Sequence, residues 1–187
     1  MGIRSIKVDK IAAAISQLEM AIELFFNDRD EISVHTLAAA AFEILKDIAN
    51  QKDISFSTRQ KFDLLLKETN PEMHKALVDA WNRPQNYFKH ADKDASIDYE
   101  FKPGFSGVIM YEAVNLFHAL TGNYSRWGCL FQRWFEVEHK DIFSKTYPEM
   151  KNKLNSLSLC PRNKKEWLGL YEAATSADGL FVGGVGK

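Results

Sequence analysis

The chain has 187 residues, of which 45% are hydrophobic and 26% are charged, as in an ordinary globular protein. That length is enough for one domain to bury a core without the help of disulfides or metal ions. The net charge of −1 provides no overall basic field that would attract nucleic acid or acidic lipid.

The cysteines and the apolar runs predict a cytoplasmic protein. Cys129 and Cys160 lack metal-ligand spacing and lie among apolar neighbours, which favours buried free thiols in a reducing compartment. Residues 1–16 lack the continuous apolar stretch of a signal peptide. No run approaches the ~18 apolar residues that span a bilayer. We therefore expect no membrane association.

Helical periodicity dominates the start of the chain. Apolar residues spaced three and four apart predict a first helix over about 5–27, with Ile11, Ile15, Leu18, Ile22 and Phe25 facing inward. Asp30 is suited to cap a second helix that ends at about Asn50. The run Ala38–Ala41 in this helix allows a neighbouring helix to approach closely. The expected inward residues are Val34, Leu37, Ala38, Ala41, Leu45 and Ile48.

Capping signals divide the middle of the chain. Ser57 or Thr58 is expected to begin a short third helix, and Asn70-Pro71 a fourth, which carries Met73, Leu77, Ala80 and Trp81. The stretch 95–105, ASIDYEFKPGF, alternates weakly between apolar and polar residues, which predicts an extended loop or a short strand. Ser106 is expected to cap a fifth helix, and the sequence TGN at 121–123 to end it. Its expected inward residues are Ile109, Met110, Ala113, Val114, Phe117 and Leu120.

Large aromatic residues characterise the sixth predicted helix, at about 124–139. The helical spacing of Trp127, Phe131 and Trp134 favours a core or an interface over a stacking surface. After a bundle at 1–140 we expect a helical appendage at 141–175, with a last helix near 163–174, and a disordered Gly-rich tail at 176–187. The predicted fold class is therefore all-α, a bundle of about six helices with a short extended loop between the fourth and fifth.

The stretch NRPQNYFKHADKD, residues 82–94, contains the main candidate site. Arg83 and His90 are seven residues apart, nearly two helical turns, so both side chains fall on one face together with Asn86. In the same register Phe88 points toward the core and anchors the segment. Pro84 is expected either to kink the fourth helix or to begin a new one.

The residue types on this face suit phosphodiester chemistry. A neutral imidazole near its reference pKa of about 6.5 can take or donate a proton. The guanidinium fork of Arg83 suits a phosphate, and Asn86 can orient either partner. Such a set is sufficient for metal-free RNA cleavage, in which the 2′-hydroxyl of the RNA is the nucleophile. The alternative is that His90 stabilises a helix end and that the neighbouring charges are only solvated: Lys89, Asp92, Lys93 and Asp94.

The other possible ligands predict no metal or cofactor site. Glu136 and His139 form one Glu-x-x-His pair, half of a ferritin-like di-iron site, but the chain has no second copy. His35 and His118 are expected to be hydrogen-bonded histidines at the edge of the core. His74 and His139 are expected at the surface. No Gly-rich phosphate loop and no Cys/His metal signature occurs in the sequence.

The Arg-x6-His spacing of Arg83 and His90 resembles the signature of HEPN domains (higher eukaryotes and prokaryotes nucleotide-binding). The stretches VHTLAAAAFEIL, 34–45, and RPQNYFKHADKD, 83–94, also resemble a group of uncharacterised bacterial proteins, over about residues 8–122. The resemblance implies an all-α homodimer that cleaves RNA without metal, with Arg83 holding the phosphate and His90 acting as acid or base. Candidate binding residues around them are Asn86, Tyr87, Lys89 and Asp92. The alternative that the resemblance leaves open is a non-catalytic module that binds nucleotides or proteins.

Overall fold

The computed structural model describes residues 5–54, 70–90, 96–141, 143 and 163–176. The described residues form six α-helices and no β-strand, which confirms the all-α class. The helices are α1 (Lys10–Phe26), α2 (Glu31–Gln51), α3 (Pro71–Lys89), α4 (Gly104–Thr121), α5 (Arg126–Glu138) and α6 (Lys164–Ser176). The short helix predicted from Ser57 or Thr58 lies outside the described residues.

The chain divides into two compact units, Met1–Gly128 and Cys129–Lys187. The first unit contains α1 to α4 and the beginning of α5, and its helices α1, α2 and α4 pack against one another. In the second unit Phe131 and Phe135 are buried on α5, and Trp167 is buried on α6. The predicted tail lies outside the described residues from 177 onward. None of the described helices is long and apolar enough to cross a bilayer.

Aspartate side chains determine where the first two helices begin. Asp9 accepts a hydrogen bond from the backbone N–H of Ala12 at 2.7 Å, so α1 begins at Lys10 and not near residue 5 as predicted. Asp30 accepts from the backbone N–H of Ser33 at 2.7 Å, which confirms its predicted role as the cap of α2. Hydrogen bonds from the side chain and the backbone N–H of Ser33 lower the pKa of the Asp30 carboxyl.

The contact between α1 and α2 is the most extensive between any two described helices. Small side chains are fully buried on both of them, Ala14 and Ala21 on α1 and Ala38 and Ala41 on α2. The buried line of α1 is Ala14, Leu18, Ala21, Ile22 and Phe26. It therefore includes only two members of the predicted stripe. The two buried alanines of α1 were overlooked because their small side chains add little to hydrophobic periodicity.

Four apolar residues that are only half-buried line an open groove of about 670 Å³ at one end of the first unit. They are Ile11, Ile15, Ile48 and Phe117. All four were predicted to face inward. The groove lies where α1 begins and where α2 and α4 end, so these three helices are too short there to cover the four side chains.

Helix α4 ends as predicted but begins differently. Gly122 adopts the left-handed conformation, with φ +74°, and its N–H donates to the carbonyl of His118 at 2.7 Å. The N-terminal cap is Pro103 and not Ser106, which lies inside the first turn with its side chain buried. The hydroxyl of Ser106 is therefore available for a tertiary contact.

The full burial of Ala41 on α2 predicts a strong effect of added volume. We expect Ala41→Leu to lower the free energy of unfolding by about 1–3 kcal/mol, because the fully buried methyl group leaves no room for three more carbons. Ala40→Leu is the matched control, since Ala40 is only half-buried on the same helix. Urea unfolding measures both variants, and equal losses would contradict the difference in burial between Ala41 and Ala40.

Candidate functional site

Helix α3 carries the predicted site and begins at Pro71, as the Asn70-Pro71 signal predicts. Pro84 is buried inside this helix and does not end it, so a new helix beginning at Pro84 is excluded. The backbone N–H of His90 donates to the carbonyl of Asn86 at 3.0 Å, so helical hydrogen bonding continues past Pro84 as far as His90. Arg83 and His90 are therefore about 10 Å apart along one helix axis.

Four of the six predicted site residues are exposed, namely Arg83, Asn86, Lys89 and His90. Tyr87 is half-buried, and Asp92 lies outside the described residues. Arg83, Asn86 and His90 share the outward face predicted from the helical register. No ion pair joins Arg83 or His90 to another described residue. Both side chains can therefore reach a ligand without first breaking such a pair.

Tyr99, which was not predicted as a site residue, packs against Arg83. The guanidinium carbon of Arg83 lies 5.4 Å from the centre of the Tyr99 ring, within the range of a cation–π contact. The rings of Tyr87 and Tyr99 are 5.1 Å apart, with 32° between their planes. The hydroxyl of Tyr87 donates to the carbonyl of Ile97 at 2.6 Å and so joins the segment that contains Ile97 and Tyr99 to α3.

The segment 98–102 has no strand, but its exposure alternates. Tyr99 and Phe101 are half-buried, whereas Asp98, Glu100 and Lys102 are exposed. This is the weak alternation seen in the sequence, and it turns the two aromatic rings toward the helices. The alternation was the signal that could have identified Tyr99. Its spatial partner, 16 residues earlier in the chain, could not be read from local sequence.

Phe88 anchors the end of α3, as predicted. Its ring centre lies 5.1 Å from that of Phe101 and 5.9 Å from that of His35, both in edge-on arrangements. A third edge-on contact, at 6.3 Å, joins it to Tyr99. Aromatic pairs in this geometry stabilise by roughly 0.5–1.5 kcal/mol each beyond the area that they bury. We call His35, Phe88, Tyr99 and Phe101 the aromatic cluster.

His35 is the fully buried member of the aromatic cluster, with no exposed surface. Its Nδ1 lies 3.1 Å from the Ser106 hydroxyl oxygen, which joins α2 to the first turn of α4. The predicted hydrogen bond is confirmed, but the expected position at the edge of the core is wrong, because His35 is fully buried. Its Nε2 is buried without a hydrogen-bond partner. Burial lowers the pKa of His35 to about 4, so the ring is neutral at pH 7.

The remaining histidines pack on aromatic rings or are partly covered. The His118 ring lies 4.0 Å from that of Tyr124, and partial burial lowers its pKa. The His139 ring lies 4.3 Å from that of Phe135, so the expectation of a surface histidine is wrong for His139. It is also wrong for His74, which is half-buried.

Glu136, the other half of the Glu-x-x-His pair, forms an ion pair with an arginine. The carboxylate of Glu136 is buried and accepts a hydrogen bond from Arg133 at 3.1 Å. Within the part of the chain that is described, no three His, Cys, Asp or Glu side chains are grouped to hold a metal ion. The described residues therefore offer no basis for extending this pair into a di-iron site.

The burial of His35 predicts a loss of stability in acid. The folded-state pKa of about 4 lies below the usual 6.5, so the unfolded chain binds the proton more tightly. Stability from this group is complete above about pH 6.5 and is lost as the pH falls toward 4, by up to about 3 kcal/mol. We expect His35→Gln to flatten the pH dependence of urea unfolding between pH 7 and 4.

Ser106→Ala is the matched variant for that experiment, because it removes the hydrogen bond of His35 but keeps the buried imidazole. The variant is expected to be less stable at pH 7 and to retain the steep acid dependence. An unchanged slope in His35→Gln would show that another group causes the loss of stability in acid.

Comparison of the chain with models of protein families, with curated proteins and with solved structures finds no significant match. The resemblance to HEPN domains thus stays a prediction.

Proposed function

We propose that this chain binds RNA on the face of α3 that carries Arg83, Asn86 and His90, and that it cleaves the RNA without a metal ion. The observation that carries the proposal is the joint exposure of these three side chains on one helix face. The Arg83 guanidinium is held over Tyr99, so one donor group is already positioned for a phosphate. This is also the chemistry that the HEPN-like spacing implies.

The proposed reaction is an internal phosphoryl transfer. The 2′-hydroxyl oxygen attacks the adjacent phosphorus, the bond from phosphorus to the 5′-oxygen breaks, and a 2′,3′-cyclic phosphate and a 5′-hydroxyl form. A neutral His90 accepts the proton of the 2′-hydroxyl, or a protonated His90 donates one to the leaving oxygen. Arg83 stabilises the negative charge on the non-bridging oxygens. The RNA supplies its own nucleophile, so no metal-bound water is required.

A homodimer is part of this proposal. Each chain presents one imidazole on this face, whereas the reaction needs both a base and an acid. Two copies that bring their α3 faces together supply both groups, each with its own arginine. The proposed place of action is the cytoplasm.

Exposed apolar side chains favour a second candidate, a non-catalytic protein-binding module. Ile97 is 58% exposed and Phe105 is 47% exposed, and both lie in or next to the segment that packs on α3. Where exposed apolar residues form a contiguous patch, they are typical of surfaces that contact other proteins. Under this alternative Arg83 and His90 contact a protein partner and transfer no proton.

The nuclease proposal predicts a loss of RNA cleavage in two single variants. Purified protein is incubated with mixed RNA in excess EDTA, beside His90→Ala and Arg83→Ala. We expect both variants to lose roughly 100-fold or more of the cleavage rate, because one acid–base group contributes about 10²–10⁴-fold.

The matched control for this assay is His74→Ala, which removes a histidine from the same helix but from outside the proposed face. It is expected to keep the full rate. Equal residual cleavage by the wild type and all three variants would indicate a contaminating nuclease and would remove the enzymatic proposal.

A further inference from the structure

We propose that Tyr99 and Arg83 together bind one unpaired nucleotide, with the base stacked on the Tyr99 ring and the phosphate on the Arg83 guanidinium. This inference rests on the proposed function, because it names the class of RNA that the α3 face takes. Tyr99 is a positioning residue in this proposal and takes no part in proton transfer.

The first support is that Tyr99 is only half-buried and that its ring is held in place. It contacts Arg83 at 5.4 Å and Tyr87 at 5.1 Å, while the Tyr87 hydroxyl fixes the backbone at Ile97. Two residues later, Phe101 packs edge-on against Phe88 and His35. Contacts thus hold the chain both before and after Tyr99. The ring therefore loses little conformational freedom when a base stacks on it, which favours binding.

The second support is the charge around Arg83. Asp98 and Glu100 flank Tyr99 and are exposed, and the whole chain has a net charge of −1. Such a surface attracts a polyanion weakly, so phosphate contacts alone cannot provide much affinity. Stacking on an aromatic ring does not depend on net charge, and it changes affinity by roughly 5- to 100-fold for each base.

The third support is the selectivity that stacking implies. In a duplex, each base is already stacked and paired, and the groove that proteins can reach displays mainly ribose and phosphate. A surface that combines a single arginine with an aromatic ring therefore discriminates against duplex RNA. Loops, bulges and single strands present the free base face that Tyr99 would contact.

The test measures binding by fluorescence anisotropy with 2′-O-methylated oligonucleotides, which lack the nucleophile and cannot be cleaved. The wild type is titrated with a labelled single strand, with the duplex of the same sequence, and with a strand that carries abasic positions. We expect the single strand to bind roughly 5- to 100-fold more tightly than the other two. The logarithm of the binding constant should fall with the logarithm of salt concentration with a slope of about −1, as for one or two phosphate contacts.

Variants locate the stacking residue. Tyr99→Ala should lose roughly 5- to 100-fold in affinity for the single strand, and Tyr99→Phe should keep it because the ring remains. Tyr124→Ala is the matched control, since Tyr124 is a second tyrosine in a loop of the same unit. Circular dichroism checks the folding of each variant, and the abasic comparison on the wild type needs no variant at all.

The outcomes separate the two proposals. If Arg83→Ala loses binding but Tyr99→Ala and the abasic strand behave like their references, the stacking inference is overturned while the proposed function stands. Equal affinities of the wild type for single strand, duplex and abasic strand would also overturn it. If the wild type neither binds nor cleaves any RNA, the proposed function itself is wrong.

Discussion

The edge-on packing of Phe88 against His35 and Phe101 is the contact on which the candidate site depends. It joins α2, the end of α3 and the segment before α4, three parts that are far apart in sequence. The hydrogen bond between His35 and Ser106 adds the first turn of α4 to the same junction. Because the Phe88 side of α3 packs against these residues, the opposite side of the helix, which carries Arg83 and His90, faces the solvent.

Much of the architecture could be predicted because it is encoded locally. Asp30 as a cap, Pro71 as a helix start and Gly122 as a helix end each act through residues at most four positions away. The inward position of Phe88 followed from helical register alone. These features need no knowledge of the tertiary fold, since the hydrogen bonds or the periodicity involved lie within one helix.

The errors arose where a tertiary contact overrides a local preference. Ser106 has the composition of a cap, but its hydroxyl contacts a histidine 71 positions earlier, and Pro103 takes the cap position. The predicted stripe of α1 favoured large side chains, whereas the close contact with α2 buries alanines. Tyr99 escaped notice because its relation to Arg83 exists only after the chain has folded back on α3.

Pro84 has a consequence for how α3 is held together. A proline inside a helix donates no backbone hydrogen bond, so the carbonyl four residues earlier, that of Ala80, lacks its usual helical donor. The hydrogen bonding of α3 is therefore interrupted at the turn where the residues of the site begin. Beyond Pro84, side-chain packing stabilises α3 as much as its own backbone hydrogen bonds do. The aromatic cluster therefore determines the position and orientation of Arg83 and His90.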